Sequence, residues 1–234
     1  MAKQRDSKKS VERPVRRTGL STNDLYDKLK QMAVLYKIKP GEHVNEMELA
    51  QEFEVSRTPV REALNRLVAE NLLTFQPNRG FYVRELETKE IFDLYELRRS
   101  IEMTALDLAI SRATEKEFKE LGAFWKKVLK QADKIPTTEL VLLDEEFHLR
   151  LAALSKNAEI TRTLQLINAR IHFVRWVDLE ERKHDVYDEH LELTQALIER
   201  DGVKALTILD THISMRMEEV VKVIQAGVMK LYVR

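Results

Sequence analysis

Apolar residues recur at intervals of three and four along most of this chain, which is the spacing of amphipathic α-helices. The first such helix begins near Thr22 and ends before Pro40-Gly41, a pair typical of a turn. A second, short helix is predicted to begin after Asn45, a good N-cap, because Glu48 then occupies the capping-box position.

A third helix follows within a few residues, and behind it the pattern changes. Ser56 is the expected N-cap of this helix, and Pro59 fits its first turn, where a backbone N–H has no helical partner to lose. The predicted buried face consists of Val60, Ala63, Leu64, Leu67 and Asn71. Residues 72–83 then have the pattern of strand, turn and strand, with the turn at Pro77–Gly80. Helix, short helix, helix and β-hairpin is the order of a winged helix-turn-helix.

From Thr88 onward the pattern is helical throughout. Six helices are predicted, at about 88–112, 115–133, 137–155, 159–180, 185–200 and 202–228, with short connections between them. Pro136 and Gly202 lie at predicted boundaries, as helix-breaking residues do. The expected fold class is therefore mainly α, with a winged helix-turn-helix at residues 22–84 and an all-α six-helix bundle at residues 85–234.

Composition and charge narrow the functional classes. The chain has no cysteine, which excludes disulfides, thiolate metal sites and a cysteine nucleophile. No apolar run approaches the ~20 residues that cross a bilayer, and no secretion signal follows the basic start, so a soluble, cytoplasmic protein without membrane contact is expected. The net charge is zero, but residues 1–84 carry 16 Lys and Arg against 11 Asp and Glu. Seven of the basic residues lie in the first twenty positions, so residues 1–21 are predicted to form a disordered basic arm.

The third helix and the hairpin carry the candidate DNA-contacting residues. Arg57 and Arg61 are one turn apart near the helix N-terminus, and Thr58 shares their flank. Two arginines placed there reach base edges in the major groove, where arginine binds guanine through two hydrogen bonds. Arg79 at the hairpin tip, followed by Gly80, is placed to touch a phosphate or the minor groove. One such arginine alone would be a solvated surface charge, but the order of elements around them favours DNA binding.

These segments closely resemble the DNA-binding domain of the GntR family of bacterial transcription regulators. The resemblance is carried by Ser56–Leu64, the leucines that follow, and the Pro77–Gly80 wing. It implies a homodimer on a short palindromic operator in double-stranded DNA. The contacts it implies come from Ser56, Arg57, Thr58, Arg61, Arg79 and Gly80. In one departure, Met47 stands where some members have a DNA-contacting arginine, so no base contact is expected from the second helix.

The helical domain contains four residues whose chemistry belongs together: Asp144, His148, His190 and His212. Asp144 and His148 are one helical turn apart, and both lean toward an apolar stripe. His190 and His212 lie on or beside apolar stripes of two other helices. Burying these groups unpaired is costly, and three imidazoles with one carboxylate suit Zn, Ni, Mn or Fe(II).

A single histidine beside an apolar face is more often a hydrogen-bonded core residue than a metal ligand. We give that interpretation to His172 and His184, and we expect His43 at the surface. For the set of four, spacing alone leaves both interpretations open.

The segments around these four residues resemble the FCD domain, a ligand-binding domain named after the C-terminal domain of FadR. Asp144–His148 has the form D-x-x-F-H, and His190 and His212 match the two later histidines of the family. Many FCD domains with this set bind a metal ion, so the resemblance implies a divalent transition metal (Zn, Ni or Mn) at these residues. Six helices, where some members have seven, favour the VanR-like branch.

A carboxylate can occupy an open position on such a metal, and an arginine nearby would hold it through two hydrogen bonds. Arg98, on the inward edge of the first helix of the bundle, is our main candidate, and Arg216, one turn past His212, is the second. The alternative for Arg98 is an ion pair with Glu102, one turn along. The family implies small organic acids as effectors.

The sequence therefore predicts a metabolite-responsive DNA-binding regulator, expected to be a repressor, that senses an organic acid beside a bound metal. One alternative is a metal-dependent enzyme that activates water at the Asp/His site, with Glu145 or Glu146 as the base. Another is a helical scaffold that holds a metal for stability. The predicted N-terminal winged helix-turn-helix argues against an enzyme, because a hydrolase does not need a DNA-recognition helix.

Overall fold

The computed structural model describes residues 20–215 and 217–232, and of residues 181–185, 217 and 232 it describes the backbone alone. Nearly all of the basic arm predicted at residues 1–21 therefore lies outside the described residues.

The N-terminal part is the expected winged helix-turn-helix. Its elements are α1 (Thr22–Val34), β1 (His43–Val44), α2 (Glu46–Glu52), α3 (Arg57–Ala69), β2 (Leu73–Gln76) and β3 (Gly80–Val83). The strands form an antiparallel sheet in the order β1-β3-β2. We did not predict β1, because two residues are too few to show an alternating pattern. It pairs His43 with Tyr82 and Val44 with Phe81.

The N-cap residues Asn45 and Ser56 mark where α2 and α3 begin. The Asn45 side chain accepts hydrogen bonds from the backbone N–H groups of Met47 and Glu48, as an N-cap does. The Glu48 carboxylate accepts from the Asn45 side-chain amide (2.8 Å), which differs from the capping box predicted there. Ser56 occupies the N-cap position of α3 but makes no capping hydrogen bond. Its exposed hydroxyl is therefore not engaged by its own helix.

The core of this domain lies between α1, α3 and the sheet. Of the predicted buried face of α3, all four apolar members are buried: Val60, Ala63, Leu64 and Leu67. Asn71 was wrongly included, since α3 ends at Ala69 and Asn71 is exposed. Asn71 has φ 57°, a left-handed conformation that asparagine tolerates, and it turns the chain into β2.

The remainder of the described chain is an all-helical bundle. Its elements are α4 (Thr88–Arg112), α5 (Glu115–Leu129), a 3₁₀ turn (Ala132–Lys134), α6 (Thr137–Ala153), α7 (Ala158–Ile198), α8 (Gly202–Ile213) and α9 (Met217–Tyr232). The part of the chain that the structure describes thus has six α-helices in the bundle, the predicted number, but two of the predicted boundaries were wrong. The predicted helices 159–180 and 185–200 are one continuous helix, and the predicted helix 202–228 is divided after Ile213.

Helix α7 is the central element of the bundle and packs against all five other helices of it. It also contacts the winged domain, where the rings of Tyr36 and Phe173 meet edge to face with centroids 5.0 Å apart. Beside this contact, the Glu90 carboxylate on α4 accepts hydrogen bonds from Arg84, at the end of the wing, and from Arg170 on α7. The two domains are therefore joined by a ring contact and an ion-pair triad. Among the described helices, none is long and apolar enough to span a membrane.

Candidate metal centre and DNA-reading face

The structure brings the four predicted ligand residues together at one point inside the bundle. Helix α6 supplies Asp144 and His148, α7 supplies His190 and α8 supplies His212, and one ligand atom from each lies within 4.8 Å of every other. The three histidine Nε2 atoms are 3.1, 3.3 and 3.1 Å apart. Asp144 Oδ1 lies 3.5 Å from His190 Nε2 and 3.9 Å from His148 Nε2. Ligands about 2.0–2.1 Å from a tetrahedral Zn²⁺ would be about 3.3 Å from one another.

Two glutamates fix which ring nitrogens carry protons. Glu102 Oε2 lies 2.6 Å from His148 Nδ1, and Glu189 Oε2 lies 2.6 Å from His212 Nδ1. An ionised carboxylate only accepts, so each Nδ1 carries a proton, and in the neutral form of each ring Nε2 is the nitrogen with the lone pair. When both rings are neutral, two lone pairs face each other 3.1 Å apart. This arrangement is repulsive unless a proton or a cation lies between them.

Two of the three histidines, His148 and His190, are held in the neutral form that binds metals. Burial lowers the pKa of His148 to about 4, although the nearby Glu102 carboxylate opposes this shift. Burial, together with the neighbouring His212 and His148, lowers the pKa of His190 well below its usual value. The His190 ring stacks on Phe147 with centroids 4.0 Å apart, which fixes its plane. At neutral pH both rings can therefore donate a lone pair without first losing a proton.

Asp144 is held ionised by an arginine that the sequence interpretation missed. Arg175 on α7 donates to Asp144 Oδ2, which leaves Oδ1 buried, without a hydrogen bond and facing the histidines. Burial alone would raise the pKa of Asp144, but Arg175 and the nearby His148 hold it below its usual value. The available signal was an arginine on an otherwise apolar helix face, between Ile171 and Leu179.

Arg98 forms an ion pair with Glu102, which was the alternative to its predicted role in effector binding. Its Nε donates to Glu102 Oε1 (2.5 Å), and the two residues are only 4% and 2% exposed. The pairing does not satisfy the whole guanidinium, because Arg98 Nη2 is buried without a hydrogen-bond partner. Arg98 also lines a cavity of about 40 Å³ together with Asp144, Arg175 and His212. The second candidate, Arg216, lies outside the described residues.

Three other buried polar residues of α7, Asn168, His172 and Arg175, have atoms without a hydrogen-bond partner. His172 is buried and its Nδ1 lies 2.8 Å from Glu145 Oε1, as expected for a hydrogen-bonded core histidine, but its Nε2 has no partner. The Asn168 amide is buried with neither its oxygen nor its nitrogen hydrogen-bonded, and Arg175 Nη1 is in the same state. The side chain of His184 is outside the described part of the chain. Buried polar atoms without partners are rare in native proteins, and a bound ligand or ordered water commonly accounts for them.

The predicted DNA-contacting residues lie at the surface of the winged domain. The side chains of Ser56, Arg57, Thr58, Arg61 and Arg79 are all exposed. Gly80 follows the hairpin turn with φ 89°, and a Cβ there would meet His43 Nε2 at 3.0 Å. The exposed His43 packs edge to face on Tyr82, with ring centroids 5.2 Å apart. Any other residue at position 80 would therefore disturb both the turn and the β1 edge of the wing.

Comparison with known proteins agrees with this architecture. A model of bacterial regulatory proteins of the gntR family matches residues 21–83, and a model of the FCD domain matches residues 93–215. The Nta operon transcriptional regulator of Aminobacter aminovorans is 42% identical over 87% of this chain and 96% of that protein. The chain belongs to the GntR family. The HTH-type transcriptional repressor RspR of Escherichia coli is 25% identical over 90% of this chain and 93% of its own length. The solved structure of E. coli McbR/YncC has the same fold, with a TM-score of 0.70, 23% identity, and coverage of 87% of this chain and 97% of that one.

These matches confirm three predictions made from the sequence: the GntR family, the FCD domain and the mainly α fold class. The protein is a DNA-binding transcriptional regulator, and the families and relatives it matches are regulators rather than enzymes. Assignment to the VanR-like branch stays a prediction.

Proposed function

We propose that this GntR-family regulator binds one divalent transition metal at Asp144, His148, His190 and His212 and senses a small organic acid beside it. The observation that carries the proposal is the convergence of three histidine Nε2 atoms to 3.1–3.3 Å from one another, with Glu102 and Glu189 at the Nδ1 atoms of His148 and His212. The donor set of three imidazoles and one carboxylate suits Zn, Ni or Mn. Such an ion would supply a Lewis-acidic position at which an effector oxygen can bind.

The chemical class of the effector follows from two arginine donors next to this centre that make no hydrogen bond, although Arg175 Nη1 lies 3.6 Å from Glu145 Oε1. Arg98 Nη2 and Arg175 Nη1 are both buried without hydrogen-bond partners, and both arginines line the cavity beside His212. Two guanidinium donors and a cationic site favour a carboxylate, because charge-assisted hydrogen bonds to carboxylates are the strong ones. We therefore expect an acid that contacts both arginines, which adds Arg175 to the effector-binding residues predicted from the sequence, Arg98 and Arg216.

The size of the cavity gives the response its physical basis. About 40 Å³ accommodates a few water molecules but no organic acid. Its wall includes Ser214 and Met215, which directly follow α8. We expect effector binding to require displacement of these two residues, so the effector selects an arrangement of helices different from the one described. We expect that rearrangement to reach the winged domain through α7, which contacts α8, α9 and the winged domain.

On DNA, we propose that two chains act as a homodimer on a palindromic operator. Arg57 and Arg61 of each chain would read bases in one major groove, Ser56 and Thr58 would bind phosphates, and Arg79 and Gly80 of the wing would contact the adjacent backbone or minor groove. Effector binding would change the spacing of the two reading faces and release the operator. We propose that the DNA-bound protein represses transcription, the activity named for the relative RspR, so that release of the operator relieves repression.

The test combines metal analysis with operator release. Protein purified without a histidine tag should contain close to one divalent metal per chain. A duplex selected from a randomised pool by this protein should be released by one member of a panel of small carboxylic acids, and EDTA treatment should abolish the release. A wild-type protein that carries no metal and refuses added Zn, Ni and Mn would contradict the metal site. Metal-dependent turnover of a substrate without specific DNA binding would favour the enzyme alternative.

A further inference from the structure

The carboxylate of Glu46, at the start of α2, lies between the two arginines of the reading face. Its Oε2 is 3.8 Å from Arg57 Nη2, and its Oε1 is 3.8 Å from Arg61 Nη1. The Glu46 side chain is 14% exposed, whereas those of Arg57 and Arg61 are 59% and 53% exposed. Each carboxylate oxygen thus faces one guanidinium from the protein side. Oε1 is fully buried and accepts no hydrogen bond, so its acceptor capacity is unused in this arrangement.

The local fold fixes the position of this carboxylate. Glu46 is the first residue of α2, directly after the Asn45 N-cap, so the cap determines where its side chain starts. A carboxylate in the first turn is favoured by the positive end of the helix dipole. Arg61 is restrained on another side by Phe75 and Phe81, whose ring centroids each lie 6.0 Å from its guanidinium carbon. Both arginines therefore start from a restricted set of conformations before DNA arrives.

We propose that Glu46 is a positioning residue that determines how strongly this regulator prefers its operator over other DNA. The proposal rests on the proposed role of Arg57 and Arg61 as base-reading residues. A guanidinium has five N–H donors in a planar fork, so each arginine can direct one donor to Glu46 and present others to a guanine. Restricting two long side chains in advance lowers the conformational entropy lost on binding bases.

The same carboxylate also disfavours non-specific binding. Non-specific affinity depends on the positive charge that meets the phosphates, and Glu46 reduces the net charge of the reading face by one. A guanidinium held toward the base edges is moreover less free to contact the nearest phosphate. The residue is thus expected to raise affinity for the operator and to lower affinity for other sequences, which are opposite effects.

Three variants separate these two effects. Glu46→Gln removes the charge and keeps the length of the side chain. Glu46→Asp keeps the charge but shortens the side chain, so it cannot reach both arginines. Glu52→Gln, at the exposed C-terminal end of the same helix, is the matched control for loss of one negative charge. Fluorescence anisotropy is measured on a duplex selected by the wild-type protein from a randomised pool and on a scrambled duplex of equal length, over a range of salt concentrations. Thermal melts of each variant show that it is folded.

For Glu46→Gln we expect binding to the selected duplex to weaken roughly three- to tenfold, the range expected when long side chains lose their pre-ordering. Its binding to the scrambled duplex should strengthen, with a salt dependence steeper by roughly one unit of log K per log salt for each chain. Glu46→Asp should lose selected-duplex affinity while keeping the wild-type salt dependence on the scrambled duplex. Glu52→Gln should change neither.

Equal weakening on both duplexes by Glu46→Gln would overturn the proposal, since a purely structural role acts on all DNA alike. Unchanged binding to both duplexes would overturn it as well. A failure of the proposed function gives a different result: if Arg57→Ala and Arg61→Ala leave the preference for the selected duplex intact, the arginines do not read bases. The role of Glu46 then falls with them.

Discussion

The buried pair of Arg98 and Glu102 allows a quantitative prediction about the stability of the helical domain. Glu102 is 2% exposed, and its carboxylate accepts from Arg98 Nε (2.5 Å) and from His148 Nδ1 (2.6 Å). Burial alone would raise the pKa of Glu102, but Arg98 and His148 hold it far below its usual value, so the group is ionised at neutral pH. Arg98→Met removes the only full positive charge of this triad and leaves a buried carboxylate with one neutral donor.

The expected cost of Arg98→Met is about 3–5 kcal/mol of unfolding free energy, the range for breaking a buried ion pair from one side. A Coulomb estimate gives a similar figure, about 4 kcal/mol for unit charges 4 Å apart at an effective dielectric constant of 20. The double variant Arg98→Met/Glu102→Gln removes both charges, and a glutamine oxygen can still accept from His148. We therefore expect the second substitution to recover more than half of the loss.

The assay is urea unfolding of the metal-free protein, followed by circular dichroism, for the wild type, both single variants and the double variant. A loss below about 1 kcal/mol in Arg98→Met would refute the reasoning, because it would place this pair in the range of exposed ion pairs. A double variant less stable than Arg98→Met would also refute it. A further variant, Arg98→Lys, reports on effector binding: it retains a charge but removes the planar fork, so we expect it to keep most of the stability and lose most of the effector response.

Three further predictions concern the metal, the DNA and the domain contact. His148→Ala should lose the metal and melt earlier than the wild type, because a metal bound only by the folded state stabilises that state; elemental analysis and thermal melts measure this, and a variant with full metal content would contradict it. Arg57→Ala and Arg61→Ala should each weaken operator binding by ~1–3 kcal/mol and relax base preference, whereas Arg66→Ala should do neither, since Arg66 stacks on Tyr26 with its guanidinium carbon 3.6 Å from the ring centroid. Burial would raise the pKa of Glu90, but Arg84 and Arg170 lower it, so its ion pairs stabilise the fold above the ordinary carboxyl pKa and are lost as pH falls through the lowered value. Glu90→Gln should therefore destabilise the protein at pH 7 by about 1 kcal/mol, and urea unfolding should show this difference shrinking as pH falls below about 4; a difference that is independent of pH would contradict it.

The parts of the fold that were predicted correctly are those with a local signal. The change from helical to alternating spacing after α3, with Pro77–Gly80 between the strands, located the wing. The boundary placed within α7 was wrong because the polar run at residues 180–185 interrupts the apolar period, although no proline or glycine breaks the helix there. The break after Ile213 has no such residue either. There the backbone of Ser214 turns to an extended conformation, and its hydroxyl donates to the Asp210 carbonyl.

The four residues of the candidate metal centre could be singled out because all are of ligand type and lie beside apolar stripes, but a metal was predicted only through the resemblance to the FCD domain. The residues that hydrogen-bond to these four side chains could not be predicted from residue type and position. Glu102, Glu189 and Arg175 are charged residues on helices, and charged residues on helices are usually exposed. Whether such a side chain is buried depends on which helix packs over it, and one sequence does not contain that information. For the same reason the contact of Glu46 with the reading arginines became visible only in three dimensions.

The continuity of α7 restricts how the length of this chain can vary. Helix α7 has 41 residues and contacts the winged domain at Phe173 and the metal centre at His190. At 1.5 Å per residue, about 25 Å of helix lies between these positions. Inserting or deleting a single residue between them would rotate one contact relative to the other by about 100°, so either the domain contact or the ligand set would be lost. Length changes between residues 174 and 189 should therefore be tolerated far less than changes of the same size in the connections between helices.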